Sequence, residues 1–147
     1  MCELPMVDEV DFRIIRILME EGDISFSELA RRLNLSESTI RKRVEKLKKS
    51  NVINRFTVIV DPAKLGFNSV AIVGVDVEPQ QLLKVAKKLC ELPEARNVFI
   101  STGDHMIMVE IWARDGNDLS RIISEGIGSI EGVKRVCPSI VLERLKY

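Results

Sequence analysis

The stretch Phe26 to Leu47, FSELARRLNLSESTIRKRVEKL, reads as two short helices joined by a tight turn. Leu29, Ala30 and Leu33 give the first half one apolar face, and Ser25 or Ser27 offers a cap with Glu28 close by. Asn34 stands where the turn needs a residue that tolerates positive φ. Ser36 then caps a second run in which Ile40, Val44 and Leu47 repeat along one buried seam. At about 100° per residue, Ser38, Lys42, Glu45 and Lys49 fall opposite that seam, with Glu37 and Arg41 beside them. Hydroxyls and basic side chains therefore crowd one surface, which suits a helix that enters a DNA groove.

Charge points the same way. The whole chain balances, with 22 basic against 22 acidic residues, so it is not a general polyanion binder. From Arg31 to Arg55, however, nine basic residues (Arg31, Arg32, Arg41, Lys42, Arg43, Lys46, Lys48, Lys49, Arg55) face only Glu37 and Glu45. Phosphate neutralisation needs such a local footprint. The partner expected is double-stranded DNA. Ser36, Glu37, Ser38, Thr39, Arg41, Lys42 and Arg43 are placed to meet the groove, with Lys48 and Lys49 as phosphate anchors.

At 147 residues the chain is one domain, or two small ones whose cores are individually marginal. No apolar run is long enough to span a bilayer, and the start, MCELPMVDEVD, is acidic where a signal peptide is basic, so the expected location is cytoplasmic with no membrane partner. Cys2, Cys90 and Cys137 are odd in number and widely spaced, which fits neither a disulfide framework nor a zinc pair.

Outward from the central stretch, Asp11 to Glu21 carries Ile14, Ile15, Ile17 and Leu18 on a helical stripe, the supporting first helix of a three-helix unit. Val52 to Val60, VINRFTVIV, is rich in β-branched residues and is expected as a strand or wing against those helices. Asp61-Pro62 opens a turn, and DPAKLGF is the expected hinge. The predicted division is 1–60 for the helix-turn-helix domain with its wing, 61–67 for the hinge and 68–147 for a second domain.

In that second domain the periodicity switches in regular order. Residues 69–77 read as a strand, Gln80 to Glu91 as a helix, Arg96 to Ser101 and His105 to Ala113 as strands about a Thr102-Gly103-Asp104 turn. A helix from about Asp118 to Ser129, with Leu119, Ile122, Ile123 and Ile127 on one face, and a strand from Val133 to Leu142 complete the order βαββαβ. A weak internal repeat, Leu92 to Val98 against Ile130 to Val136, supports this split βαβ, ferredoxin-like arrangement. The fold class is thus α+β, a winged-helix-like helix-turn-helix domain followed by a ferredoxin-like domain. Its strands are apolar on both faces, Val70 and Ile72 alternating with Ala71, Val73 and Val75. Helices cover one face, so a second copy is expected on the other, giving a homodimer whose two-fold axis suits an inverted-repeat operator. Cys90 and Cys137 are expected in the core, as are Met106 and Met108, and Trp112 at a core or interface position.

Together these segments resemble the Lrp/AsnC family of leucine-responsive, or feast/famine, transcriptional regulators over nearly the whole chain. Asp11 with Ile14, Ile15 and Leu18, Glu28-Leu29-Ala30, Ser36 to Val44, Val60-Asp61-Pro62 with Lys64-Leu65-Gly66, Thr102-Gly103-Asp104 and Gly132-Val133 carry the likeness in order. The resemblance implies a sequence-specific DNA-binding regulator whose second domain assembles dimers and often octamers. It also implies that a small amino acid or related metabolite binds in clefts that include the Gly103 turn, at Thr102, Gly103, Asp104, His105 and Met106. The family commonly places an aromatic residue and then an aspartate after this Gly-Asp pair, where this chain has His105 and Met106. A ligand ammonium group then lacks one partner, which favours an apolar or sulfur-containing amino acid, or none, over lysine or arginine.

The alternative is an enzyme, since some haem-pathway decarboxylases resemble this family in both domains. His105 is the only histidine, and no nucleophile, metal or phosphate-loop signature accompanies it, so neither catalytic residues nor a cofactor is expected. A third reading, a ligand-binding assembly protein that ignores DNA, is opposed by the basic stretch.

Overall fold

The computed structural model describes residues 7–147 and divides the chain into two compact units between Ile59 and Val60. Cys2 lies outside the described residues.

Three helices build the first unit: α1 (Glu9–Glu20), α2 (Phe26–Leu33) and α3 (Glu37–Lys49). Each begins on a side chain that satisfies a free backbone N–H. The Asp8 carboxylate accepts from Asp11 N–H in a reciprocal capping box, Ser25 Oγ accepts from Glu28 N–H, and Ser36 Oγ accepts from Thr39 N–H. Asn34 ends α2 at φ 55°, the left-handed conformation that turns the chain into α3. Ile14, Leu29, Ala30, Leu33, Ile40 and Val44 form the core of this unit. Ile40, Val44 and Leu47 are all buried, so the seam predicted along α3 is the seam observed.

Residues 54–60 form no strand, which corrects the expected wing. The amides of Val52 and Ile53 bend back to the Leu47 carbonyl, at 2.9 and 3.0 Å, and close α3 instead of starting a ladder. Beyond them, Phe56, Val58 and Ile59 are exposed. β-propensity measures fit to a pleated, half-buried surface, and no neighbouring strand exists in this unit, among the described residues, to supply one.

The second unit has the order β1 (Ser69–Val77), α4 (Leu82–Glu91), β2 (Ala95–Ile100), β3 (Ile107–Ala113), α5 (Gly116–Arg121) and β4 (Val133–Ile140). Its strands form one antiparallel sheet in the order β2-β3-β1-β4, the ferredoxin-like arrangement. Register aligns Ala71, Val73 and Val75 with Ile111, Val109 and Ile107, and all six are fully buried beneath the helices. The opposite face presents Val70, Ile72, Met108 and Trp112, half-buried, and Phe99, 57% exposed.

Residues beyond α5 continue as a π-helical turn over Ile122–Ile127, closed by Gly128 N–H donating to the Ile123 carbonyl at 2.7 Å. In an α-helix, Ile122 and Ile127 would sit about 140° apart around the axis. The wider π turn brings both to the core, at 1% and 0% exposure, so the apolar face expected of one α-helix is achieved by two kinds of helix. Cys90 is exposed, a correction to its expected core position: it lies one step round α4 from the buried stripe of Val85, Ala86 and Leu89. Cys137 is half-buried in β4. Trp112 donates its indole N–H to Glu110 Oε1 at 2.9 Å and is covered by the Arg96 guanidinium 4.7 Å from its ring.

Candidate functional site

The basic stretch from Arg31 to Arg55 runs through α2 and α3, and the structure sorts its cations into two groups. Arg31 and Arg32 are neutralised on α2 and α1: Arg31 donates to Glu28 at 2.7 and 2.8 Å, while Arg32 reaches Glu21 at 2.6 Å and Glu28 at 3.0 Å. Arg43 turns away from the predicted groove surface. Its Nη1 donates to Asp8 at 2.7 Å and to the buried Asp11 at 2.9 Å, tying α3 to the cap of α1. Arg43 is therefore a structural anchor, a role the α3 periodicity alone could not reveal because its partners lie 35 and 32 residues earlier.

Lys42, Lys46, Lys48, Lys49 and Arg55 have no carboxylate partner among the described residues. Lys42, Glu45, Lys46, Lys49 and Ser50 line one shallow groove along the outer side of α3. Lys46, absent from the expected contact set, belongs to this surface. At the N-terminal end, Ser36 Oγ lies 2.7 Å from Thr39 Oγ1 and 3.1 Å from Ser38 Oγ, a hydroxyl cluster on the helix cap. Arg41 sits one turn on, joined to Glu37 and lying over the Phe26 ring. Except for the half-buried Thr39 and Arg43, the predicted groove residues are thus exposed, Ser36 at the cap and the others on α3.

In the second unit the turn between β2 and β3 holds the predicted effector residues. Thr102, Gly103 and Asp104 are exposed, and Gly103 adopts φ 127°, a conformation that side chains rarely take. Ser101 pins the base of the turn: its N–H donates to the Met106 carbonyl at 3.0 Å and its hydroxyl to the His105 carbonyl at 2.7 Å. Met106 packs against the sheet-helix core, which removes it from the outer surface of the turn. His105 Nδ1 lies 3.2 and 3.3 Å from the Asp76 carboxylate oxygens, and Arg135 Nε donates to Asp76 at 3.0 Å. The imidazole rests directly on Gly74, where a Cβ would collide with the ring. Partial burial pushes the Asp76 pKa up, but the His105 hydrogen bond and the charges of His105 and Arg135 more than reverse this and hold it below the usual carboxylate range. Sequence spacing could not show that Asp76 and Arg135 belong beside the turn.

Ion pairing also sets the acid sensitivity of both units. The Glu28 pKa is held down to about 2 by Arg31 and then Arg32, and that of Asp118 to about 2 by the Arg114 backbone N–H and then Arg121. Burial raises the Glu110 pKa, yet Trp112, Asn97 and Arg144 bring it below its ordinary value. A depressed carboxylate pKa contributes stability above its unfolded value, and that contribution disappears as pH falls through the folded one. Melting temperature is thus expected to stay level from pH 7 to about 5 and to fall between about pH 4.5 and 2. Circular dichroism melts across this range check it, and a rise on acidification would contradict it.

Residues 7–54 match a family model for winged helix-turn-helix DNA binding, and residues 70–147 match the Lrp/AsnC ligand binding domain. The HTH-type transcriptional regulator LrpA of Pyrococcus horikoshii is 48% identical over 141 residues, covering 96% of this chain and 100% of that protein. Among solved structures, E. coli AsnC aligns with a TM-score of 0.83 at 25% identity, over 97% of this chain and 96% of its own. A feast or famine regulatory protein from M. tuberculosis, complexed with L-methionine, shares the fold with a TM-score of 0.88 at 22% identity, over 96% and 95% of the two chains.

Proposed function

Because this chain belongs to the Lrp/AsnC family of DNA-binding transcriptional regulators, we propose that α3 is its operator-reading element and that the Gly103 turn is its effector site. The observation that carries the first half is the sorting of charge along α2 and α3. Arg31, Arg32, Arg41 and Arg43 are tied to carboxylates, leaving Lys42, Lys46, Lys48 and Lys49 to meet phosphates. Lys48→Ala or Lys49→Ala is expected to weaken binding equally on specific and random duplexes and to reduce the salt slope by about 0.9 for each phosphate left without its lysine. Gel shifts across a salt series test this. An unchanged slope in both variants would remove these lysines from the interface.

The effector proposal rests on the open Gly103 turn and on the L-methionine bound by the M. tuberculosis neighbour. Backbone N–H groups on an exposed positive-φ turn suit a carboxylate, so a small amino acid with an uncharged side chain is the ligand class proposed. His105 is committed to Asp76 and Gly74, which supports a structural and regulatory role over a catalytic one.

A homodimer is proposed from the sheet face opposite α4 and α5 of its own unit, where Val70, Ile72, Phe99, Met108 and Trp112 gather. A two-fold pair presents two copies of α3 to an inverted repeat, and further association to an octamer is the assembly the family resemblance implies. The proposed setting is the cytoplasm. Among the described residues, no helix is long and apolar enough to cross a membrane. A fragment beginning at Gly66 is expected to remain folded and dimeric. Sedimentation decides this, and a well-folded monomer at micromolar concentration would overturn the idea that a second copy covers the sheet.

A further inference from the structure

We infer that Arg41 is the guanine-reading side chain of α3, and that Glu37 and Phe26 hold its guanidinium in the reading position. This rests on the proposal that α3 enters the major groove. Glu37 Oε1 accepts from Arg41 Nη2 at 2.8 Å, one helical turn earlier, and the Arg41 guanidinium carbon lies 5.3 Å from the centre of the Phe26 ring on α2. Two supports from two helices therefore fix a side chain that is still 55% exposed. Nη2 carries two hydrogens and Glu37 takes one, so one edge of the fork remains to donate in parallel to guanine O6 and N7. A lone i,i+4 ion pair on a solvated helix contributes little to stability. A carboxylate facing DNA phosphates is also repelled by them, so Glu37 acts against affinity unless its hold on Arg41 raises discrimination. Lys42, with no carboxylate partner among the described residues to orient it, is a point charge suited to phosphate. The geometry thus separates the two adjacent cations, Arg41 for a base edge and Lys42 for the backbone.

The test is selection of bound duplexes from a random-sequence pool by the full-length protein and by Arg41→Ala, Glu37→Ala and Glu37→Gln. The expected wild-type motif contains a G·C pair in each half-site that Arg41→Ala renders degenerate, a loss of roughly 5- to 100-fold in discrimination at that position. Glu37→Ala should blur the same position and leave the rest of the motif, whereas Glu37→Gln, whose amide oxygen still accepts from arginine, should keep it. Phe26→Leu, which retains apolar packing without the ring, should weaken the preference partially. Both Glu37 and Arg41 are exposed, so unchanged melting temperatures confirm intact variants. An unaltered motif in Glu37→Ala, or tighter binding to every sequence alike, would show that Glu37 only repels phosphate and would overturn the inference. A wild-type motif with no G·C pair sensitive to Arg41 overturns this inference alone. A wild type that enriches no motif overturns the operator-reading proposal beneath it as well.

Discussion

Leu29→Ala is expected to unfold the N-terminal unit while the C-terminal sheet stays intact. Leu29 is fully buried within a core of six buried residues drawn from α1, α2 and α3. Truncating a buried leucine removes about 2–5 kcal/mol, the transfer term plus the cavity it leaves. A unit of this size is stable by only a few kcal/mol in total. One substitution therefore takes most or all of it, and DNA binding goes with it. Thermal melts should split into an early or missing helical transition and a preserved β-sheet transition. A single unchanged transition with full gel-shift activity would mean that the N-terminal core is larger than these three helices.

Arg43→Ala is expected to act on stability first and on DNA only as a consequence. The substitution strips Asp11, 1% exposed, of its ion-pair partner and also releases Asp8. Removing one member of a buried charged pair leaves the other without compensation. Because Arg43 is about a third exposed, the expected loss is discounted to about 2–3 kcal/mol, which lowers the melting temperature by roughly 10 °C or more for so small a unit. Arg43→Ala combined with Asp11→Asn should recover part of that loss, since the amide no longer carries a buried charge. By contrast, Arg41→Ala should leave the melting temperature unchanged. Equal thermal effects at the two positions would contradict the division between the anchor and the reader.

What the sequence made legible was local. Ser25, Asn34 and Ser36 act within three residues of themselves, through caps and a left-handed turn, and each stands as its chemistry required. The alternation that distinguishes β1 and β3 is likewise a property of neighbours along one strand, and it yielded the βαββαβ order directly. The rest depends on pairings across the chain. Arg43 looks like its basic neighbours until Asp8 and Asp11 are folded beside it, and Asp76 looks like a surface acid until His105 and Arg135, 29 and 59 residues away, close on it. Residues 54–60 have the composition of a strand but no neighbour within the described part of their unit to pair with. Ile122 and Ile127 share a face because the helix widens, which an α-helical wheel does not include.

Whether this chain reads DNA through α3 is decided by selecting bound fragments from the source genome and footprinting those enriched. The predicted result is protection of inverted repeats whose half-sites are separated by about 10 base pairs or a multiple of it, matching two copies of α3 about a two-fold axis. Enrichment should fail when Arg41 and Lys42 are both replaced by alanine in a protein of unchanged melting temperature. No enrichment by the wild-type protein, or an undiminished footprint in that double variant, would contradict the claim that this chain regulates transcription by reading DNA through α3.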